Sequence, residues 1–221
     1  MAPRCGGVVR TLLIKKGAEA NLYQDLWHGL KVVRKVRKAK AYRIPQLDFE
    51  IRRSRTGSEA QLIHDAKHAG VPTPFIYMVD VKETTIVMQY IEGPRVREAL
   101  DTLSPDDRGK LCRHIGTLIG RLHNSGIIHG DLTTSNLIIA EDGKLFLIDF
   151  GLAEYSRELE KRGVDILLMR RSLQATHYRY ARECFSAVVE GYTSEVSEEE
   201  AREVIRRVEE IAKRGRYATE R

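Results

Sequence analysis

The fold is decided by the stretch His129-Gly130-Asp131-Leu132-Thr133-Thr134-Ser135-Asn136, which is followed a little later by Asp149-Phe150-Gly151. Between them lie two short apolar runs, at residues 137–140 and 145–148, joined by a segment that contains an Asp-Gly pair. Asp-Gly between two apolar runs predicts a β-hairpin. Because a hairpin returns the chain to its starting point, we expect Asp131, Asn136 and Asp149 to converge.

These three side chains suit phosphoryl transfer. Asn136 and Asp149 offer oxygen ligands of the kind that Mg²⁺ accepts, and Asp131 can orient or deprotonate an attacking hydroxyl or water. Each residue alone is a common turn former. Together, at this spacing, they form the H-x-D-x-x-x-x-N and D-F-G signature of protein kinases. We expect His129 to hold the loop by packing and hydrogen bonds rather than to act as a base.

A kinase-like site also needs a lysine on a strand and a glutamate on the next helix. Val32-Val33-Arg34-Lys35 supplies the lysine, and Glu59 is placed to form an ion pair that holds Lys35 against the α- and β-phosphates of ATP. Other candidates for this lysine within the same basic run are Lys31, Lys38 and Lys40. The strand context favours Lys35.

Two further segments are candidates for nucleotide contacts. The first is a phosphate-covering loop with a single glycine, whose backbone N–H groups approach a phosphate: Lys16, Gly17, Ala18, Glu19 and Ala20. The second is a hinge at residues 88–93, where backbone groups of Gln89 and Ile91 are predicted to bind adenine and Met88 to lie behind it. Each segment has an ordinary alternative as a turn or a strand end.

The remaining pattern predicts an α+β protein with a minimal two-lobed, protein-kinase-like fold. We place a β-rich N-lobe at residues 1–92 and an α-helical C-lobe at residues 93–221. Strands are predicted at residues 8–14, 30–36 and 84–91, and a helix at 58–69. Ser104 before Pro105 is a helix start, and the apolar stripe that follows ends at Gly126. Further helices are predicted at residues 164–172, 176–190 and 197–214.

Composition excludes several other classes of protein. The chain has 221 residues, 42% of them apolar, which is enough for a core and excludes a disordered or fibrous protein. Cys5, Cys112 and Cys184 form no CxxC pair, which argues against a disulfide framework and a structural zinc site. We see neither a membrane-spanning apolar run nor a signal peptide core. The expectation is a cytoplasmic protein with no membrane contact.

The net charge of +6 is unevenly distributed. Residues 31–55 contain ten Lys or Arg but only two acids, Asp48 and Glu50, so this stretch carries +8. A solvated helix face is the commoner meaning of such a run. The alternative is a surface that binds the phosphates of a nucleotide or RNA.

The sequence also lacks parts of a regulated protein kinase. Only twelve residues separate Gly151 from Val164, and no A-P-E follows. A regulated kinase uses a longer segment there for its phosphosite and for the substrate peptide. Gly130 replaces the usual arginine before Asp131, and Thr133 stands where lysine is common. We therefore expect a partner to position any peptide substrate, or the enzyme mainly to hydrolyse ATP.

These segments together resemble the small atypical kinase family of the KEOPS complex, the PRPK family, which is RIO-like. The resemblance runs through most of the chain and is most specific in the Gly-Asp-Leu-Thr-Thr-Ser-Asn run and the short spacing after Asp149. Its other segments are Gly17-Ala18-Glu19-Ala20, Val32-Val33-Arg34-Lys35, Tyr42-Arg43 with Pro45, Ser58-Glu59-Ala60, Ile148-Asp149-Phe150-Gly151-Leu152, Gly163-Val164-Asp165 and the basic tail Lys213-Arg214-Gly215-Arg216.

The resemblance implies a Ser/Thr kinase that uses ATP and Mg²⁺, chiefly as an ATPase, in making threonylcarbamoyladenosine in tRNA. It implies Asp131 as proton acceptor, Lys35 with Glu59 as the ATP-binding pair, and Asn136 with Asp149 as magnesium ligands. Implied partners are an actin-like-fold threonylcarbamoyltransferase at the C-lobe and tail, near Arg216 and Tyr217, and a small activating subunit on the N-lobe. A dimerising subunit and tRNA are implied indirectly.

Other classes are less well supported by the sequence. An aminoglycoside- or choline-kinase-like phosphotransferase also has an H-G-D loop but needs helical insertions for which 221 residues leave little room. A RIO-type kinase is closer, although the Thr-Thr-Ser run and the missing N-terminal helical domain count against it. A pseudokinase scaffold is disfavoured because Lys35, Asp131, Asn136 and Asp149 are all present.

Overall fold

The computed structural model describes residues 11–218, with side chains described as far as Arg214. The chain divides into two compact units. The first contains the residues up to Gln61 and Pro74–Tyr90, and the second contains Leu62–Thr73 and everything from Ile91 onward. Cys5, the start of the strand predicted at residues 8–14, and the side chains of Arg216 and Tyr217 lie outside the described part.

The first unit contains one five-stranded antiparallel sheet in the order β1-β2-β3-β5-β4. The strands are β1 Leu12–Lys16, β2 Ala20–Trp27, β3 Leu30–Arg37, β4 Ile76–Asp80 and β5 Thr85–Gln89. The strands predicted at 30–36 and 84–91 correspond to β3 and β5. Successive side chains of a strand point to opposite faces, so Lys35 and Arg37 of β3 share one face, and both are buried.

Helix α1 spans Pro45–His68, so the predicted start at residue 58 is wrong. Its first half has no continuous apolar stripe and is stabilised instead by polar contacts. Arg52 Nε lies 2.7 Å from a carboxylate oxygen of Asp48 one turn earlier, and Thr56 donates its hydroxyl hydrogen to the carbonyl of Arg52. The guanidinium of Arg52 also holds the pKa of Asp48 below its ordinary value. A search for apolar periodicity cannot detect such a half-helix.

The second unit is mainly helical. Its helices are α2 Val96–Ala99, α3 Pro105–Asn124, α4 Leu159–Thr176, α5 Ala181–Thr193 and α6 Glu198–Ala218. Helix α3 begins as predicted: Ser104 Oγ accepts the N–H of Asp107 at 3.1 Å. Helices α3 and α5 approach very closely, because a Cβ added to Gly116 would lie 1.9 Å from the carbonyl oxygen of Val188.

The helix predicted at 164–172 lies inside α4, and the helix predicted at 176–190 overlaps α5 but begins too early, because α5 starts only at Ala181. Helix α4 begins earlier, at Leu159, and includes Thr176 as its last residue. The break falls at residues 177–180, where His177 is buried and its Nδ1 lies 2.8 Å from a carboxylate oxygen of Asp101. This tertiary contact fixes the break, and sequence periodicity carries no signal for it.

Two short strand pairs and one isolated bridge complete the second unit's irregular part. Strand β7 Leu137–Ile139 pairs with β8 Leu145–Leu147, which confirms the predicted hairpin. Its turn uses Gly143 at φ 78°, and Asp142 accepts the N–H of Lys144 at 3.1 Å. Strand β6 Ile127–Ile128 pairs with β9 Glu154–Tyr155. Arg95 forms an isolated bridge with Ile138. Across residues 11–218, no helix combines the length and apolarity needed to span a bilayer.

Candidate active site

The loop that carries Asp131 follows strand β6 in the second unit. Gly130 adopts φ +77°, and a Cβ at this position would lie 2.5 Å from the carbonyl oxygen of Leu152. Both the backbone conformation and the close approach require glycine. The absence of the usual arginine before Asp131 therefore has a steric reason in this chain: a side chain would collide with the segment that follows Phe150.

His129 is buried and holds the loop, as we expected. Its Nε2–H donates to the carbonyl of Ile148 at 3.2 Å, and its Nδ1 accepts the N–H of Asp131 at 3.3 Å. These two contacts are satisfied together by the neutral ring protonated on Nε2. Burial lowers the pKa of His129, which favours the same neutral form. The ring also packs on Phe150, with centroids 4.9 Å apart.

Asp165 on helix α4 fixes the same loop from the other side, and sequence reasoning assigned it no role. One carboxylate oxygen accepts the N–H of His129 at 2.7 Å and the other accepts the N–H of Gly130 at 2.8 Å. The carboxylate is fully buried and also contacts Nε2 of His123 at 3.3 Å. The backbone immediately before Asp131 is therefore bound to a charged group on a rigid helix.

Asp131 and Asn136 are in direct contact. Asn136 Nδ2 donates to the carbonyl oxygen of Asp131 and to its carboxylate Oδ2, both at 2.9 Å. The amide nitrogen is thereby used, and the amide oxygen is the atom that Asn136 can offer to a cation. The contact also fixes one carboxylate oxygen of Asp131, so its orientation is set before any substrate binds.

Asp149 lies two residues after the end of strand β8. The N–H of Ile148 donates to the carbonyl of Asn136 at 2.9 Å, so the hairpin brings the chain back to Asn136 one residue before Asp149. Asp149 has φ 65°, one of three non-glycine residues with positive φ in the described chain. Such backbone conformations are costly and concentrate at functional sites. The next side chain, Phe150, is buried and anchors the turn.

The donor set of this loop suits a hard cation that is bound together with phosphates. Among the described residues, no group of three or more His, Cys, Asp or Glu side chains could hold a metal by itself. Asn136 and Asp149 supply an amide oxygen and a carboxylate, which are ligands that Mg²⁺ takes while it keeps phosphate oxygens or waters in its other positions. The residues present therefore fit Mg²⁺ delivered with a nucleotide.

In the first unit, Lys35 and Glu59 form the predicted ion pair. Lys35 Nζ lies 2.5 Å from Glu59 Oε1, and both side chains are buried. Sequence reasoning missed a second cation: Arg37 Nη2 lies 2.5 Å from Glu59 Oε2. The alternation of side chains along β3 was the signal that could have found it, because Lys35 and Arg37 are two residues apart.

The glycine loop between β1 and β2 is a tight turn. The N–H of Gly17 donates to the carbonyl of Ala20 at 3.0 Å, so it is committed within the turn. A Cβ at Gly17 would lie 2.6 Å from the same carbonyl oxygen. Two lysines that follow β3 contact the loop: Lys38 Nζ donates to the carbonyl of Gly17, and Lys40 Nζ contacts the carbonyl of Ala18 and the carboxylate of Glu19. Lys16 ends strand β1.

The predicted hinge residues lie at the end of β5 and just after it. Met88 is buried in the sheet, and the N–H of Gln89 donates to the carbonyl of Phe75 at 2.8 Å. Ile91 is buried at the start of the second unit's main segment. The structure thus brings together Lys35 with Glu59 in one unit, and Asp131, Asn136 and the residue before Asp149 in the other.

Much of the basic run at residues 31–55 is neutralised by acids, several of which lie outside the run. Asp25 pairs with Arg34, and Glu19 pairs with Lys40 and Arg55. Asp48 binds both Arg43 and Arg52. Counting charge along the sequence therefore overstates the positive potential of this surface.

The segment after Gly151 is short. Helix α4 begins at Leu159, and β9 occupies Glu154–Tyr155 in between. The hydroxyl of Tyr155 donates to Asp65 at 2.5 Å, and partial burial and this carboxylate raise the pKa of Tyr155 to about 12. The N–H of Ser156 donates to the carbonyl of Gly126 at 2.8 Å. These contacts tie the segment to the rest of the second unit at several points.

Comparison with known proteins identifies the family to which the chain belongs. Residues 22–197 match the protein kinase domain family. A KEOPS complex subunit Bud32 of Pyrococcus abyssi is 45% identical over 93% of this chain and 96% of its own length. A probable bifunctional tRNA threonylcarbamoyladenosine biosynthesis protein of Methanothermobacter thermautotrophicus is also 45% identical, but this chain covers only 36% of it.

A Rio2 kinase structure from Chaetomium thermophilum, an ADP/Mg²⁺-phosphoaspartate complex, superposes with a TM-score of 0.63 over 93% of this chain and 70% of that one. At 15% identity it shows the fold alone. The sheet of the first part and the helices of the second thus form a protein-kinase-like α+β fold. The chain belongs to the protein kinase domain family, in the group that contains the Bud32 subunit of the KEOPS complex.

Proposed function

We propose that this protein is a Mg²⁺-dependent ATPase and atypical Ser/Thr kinase that serves as the kinase subunit of a KEOPS complex. The observation that carries the proposal is the contact of Asp131 with Asn136 on a loop whose backbone is bound by buried Asp165. A carboxylate oriented in advance, beside an amide oxygen suited to Mg²⁺, is what phosphoryl transfer requires.

The roles of the residues follow from their contacts. Asp131 accepts the proton of an attacking water or hydroxyl at its carboxylate, and Asn136 fixes the direction in which that carboxylate points. Asn136 and Asp149 would hold Mg²⁺, which supplies positive charge at the phosphates. Lys35, held by Glu59, binds the α- and β-phosphates. The loop at Lys16–Ala20 and the residues Met88, Gln89 and Ile91 would contact the remaining parts of the nucleotide.

Hydrolysis is the reaction we favour over peptide phosphorylation. Between Gly151 and helix α4 the chain has only the residues that form β9 and its flanks, and Tyr155 and Ser156 among them contact other parts of the second unit. The segment is too short to form the peptide platform of a regulated kinase. An attacking water needs no peptide-binding surface, so ATP hydrolysis is the reaction that this site can carry out alone. A protein substrate would have to be positioned by a partner.

The partners we propose follow the relatives. One is named a KEOPS subunit, and another, of which this chain covers 36%, is named bifunctional in threonylcarbamoyladenosine biosynthesis. We propose that a separate threonylcarbamoyltransferase supplies the second function here and binds at the C-lobe and basic tail. A small activating subunit would bind the N-lobe, and tRNA would bind to the complex. Such work takes place in the cytoplasm.

The direct test is hydrolysis of ATP with Mg²⁺ by the purified chain, alone and with its transferase partner. Asp131→Ala should lower the rate by at least two orders of magnitude, because proton acceptance and orientation are both lost. Asp142→Ala is the matched control, since Asp142 is exposed in the β7–β8 turn and should leave the rate within twofold. A wild-type rate for Asp131→Ala would refute the catalytic assignment.

The role in tRNA modification needs a second experiment. Formation of threonylcarbamoyladenosine on tRNA is measured in a reconstituted complex with wild-type chain, with Asp149→Ala, and without the chain. We expect product only with wild type. If the modification proceeds equally well without the chain, the proposed place in the complex is wrong even if ATP hydrolysis is confirmed.

A further inference from the structure

We propose that Arg37 is a positioning residue for the nucleotide: it holds Glu59 independently of Lys35 and gives the buried cluster of Lys35, Arg37 and Glu59 a net positive charge. This inference rests on the proposed binding of ATP to Lys35. It concerns a residue that the kinase signature does not include, and it assigns to Arg37 both a mechanical and an electrostatic role.

Each carboxylate oxygen of Glu59 contacts a different cation. Oε1 contacts Lys35 Nζ and Oε2 contacts Arg37 Nη2, each at 2.5 Å. The side chains of Glu59, Arg37 and Lys35 are only 2%, 4% and 8% exposed, so water screens these contacts little. The same Nη2 also donates to the carbonyl of Arg55 at 3.2 Å, on the turn of α1 that precedes Glu59. Arg37 therefore joins β3 to α1 whether or not Lys35 takes part.

Arg37 also changes the net charge of the cluster. A Lys–Glu pair alone has no net charge. A phosphate that approaches it is attracted by the lysine and repelled by the glutamate. With Arg37 present, one negative and two positive charges leave a net charge of +1 in a buried place. When Lys35 turns toward a phosphate, Glu59 still has a full counter-charge, so Lys35 can leave it at a lower cost.

The packing of Arg37 argues against a purely structural role. Its Nε is buried and has no hydrogen-bond partner among the described residues. A buried donor without an acceptor lowers stability, and an apolar side chain of similar volume would avoid that loss. A guanidinium at this position thus costs stability, and that cost is explained by a charge that the site uses.

The test compares variants of two arginines on the same strand. Arg37→Gln removes the charge, Arg37→Lys keeps the charge but removes the fork that reaches Arg55, and Arg34→Gln is the matched control. Arg34 lies on the other face of β3 and pairs with Asp25 at 3.1 Å. The full-length chain is used throughout, with a non-hydrolysable ATP analogue and Mg²⁺ for binding by calorimetry, and with ATP for kcat and KM.

We expect Arg37→Gln to weaken binding of the analogue and raise KM for ATP on the order of tenfold, the order of magnitude for the loss of one nearby unit charge in a partly screened site. kcat should fall much less, within about threefold, because the catalytic loop is untouched. Arg37→Lys should recover most of the affinity, and Arg34→Gln should bind within twofold of wild type. The affinity of wild type should fall more steeply with added salt than that of Arg37→Gln.

Unchanged affinity of a folded Arg37→Gln variant, or equal loss in Arg37→Gln and Arg37→Lys, would overturn the inference. If Arg37→Gln does not fold, Arg37→Lys decides, because it keeps the charge: a folded Arg37→Lys variant that binds the analogue about tenfold more weakly than wild type would overturn the charge role. Other results would contradict the proposed function rather than the role of Arg37. These are a wild-type chain that does not bind the analogue, or a Lys35→Met variant that hydrolyses ATP at the wild-type rate.

Discussion

Replacing Asp165 by asparagine tests how the fold holds the loop that carries Asp131. The buried carboxylate accepts two backbone N–H groups, at 2.7 and 2.8 Å, one on each oxygen. Asparagine keeps a single neutral acceptor and places its NH₂ group against one of these N–H groups. Two charge-assisted hydrogen bonds of about 1.5–3 kcal/mol each become one ordinary bond of about 1 kcal/mol, and one buried donor loses its partner.

We therefore expect Asp165→Asn to lower the free energy of unfolding by about 3 kcal/mol, a large share of the roughly 5–15 kcal/mol of an ordinary domain. Urea unfolding followed by far-UV circular dichroism measures it, because the helices of the second unit dominate that signal. The rate of ATP hydrolysis should fall at least tenfold, since the peptide before Asp131 is no longer fixed. Asp106→Asn, with a largely exposed carboxylate, should change unfolding by less than about 1 kcal/mol.

The reasoning is refuted if Asp165→Asn unfolds within about 0.5 kcal/mol of wild type and hydrolyses ATP at the same rate. Loss of stability with full activity would show that the carboxylate stabilises the fold but does not position the loop. Loss of activity with full stability would show the reverse.

Three further outcomes are expected. Gly116→Ala should lower the free energy of unfolding by at least about 3 kcal/mol, because its Cβ would lie 1.9 Å from a carbonyl oxygen of α5. Gly109→Ala in the same helix has open space around its Cβ and should raise the free energy of unfolding by about 0.5–1 kcal/mol; urea unfolding measures both. Gly130→Ala should lose hydrolysis and about 2 kcal/mol of stability, since its φ is +77° and its Cβ meets a carbonyl at 2.5 Å; retained activity would contradict this. Burial lowers the pKa of His123 and His129 below the ordinary 6.5, so below that pH the unfolded chain binds protons that the folded chain does not. Stability is then full above pH 6.5 and falls by up to about 2.7 kcal/mol per pH unit below it, and a flat calorimetric Tm between pH 7 and 5 would exclude the effect.

Local signals in the sequence predicted the parts of the fold that local chemistry determines. The Asp-Gly turn of the β7–β8 hairpin and the Ser104 cap of α3 are each complete within a few residues. Strand β2 was not predicted, because residues such as Gln24 and Asp25 alternate poorly in polarity on a sheet whose faces are only partly buried. The early start of α1 was missed because an Asp48–Arg52 ion pair, not an apolar stripe, stabilises it.

In the candidate site, too, some residues could be predicted from local sequence and others could not. Lys35, Glu59, Asp131, Asn136 and Asp149 are detectable because they belong to a signature with fixed spacing. Arg37 belongs to no such signature, and Asp165, although part of the Gly163-Val164-Asp165 segment, was assigned no role. Asp165 lies 36 residues after the N–H group of His129 that it binds, and Arg37 lies 22 residues before its partner on α1. Partners so far apart in sequence meet only through the tertiary fold.

The attachment of the His129-Gly130 backbone to a carboxylate has a consequence for hydrogen exchange. These two amides do not belong to a strand ladder, so fraying of the two-residue pair between β6 and β9 does not by itself expose them to solvent. They exchange with deuterium only when helix α4 separates from the loop, an opening that also frees Asp165. Slow exchange of these amides would thus report the lifetime of the assembled loop, and its acceleration would mark the moment when Asp131 loses its position.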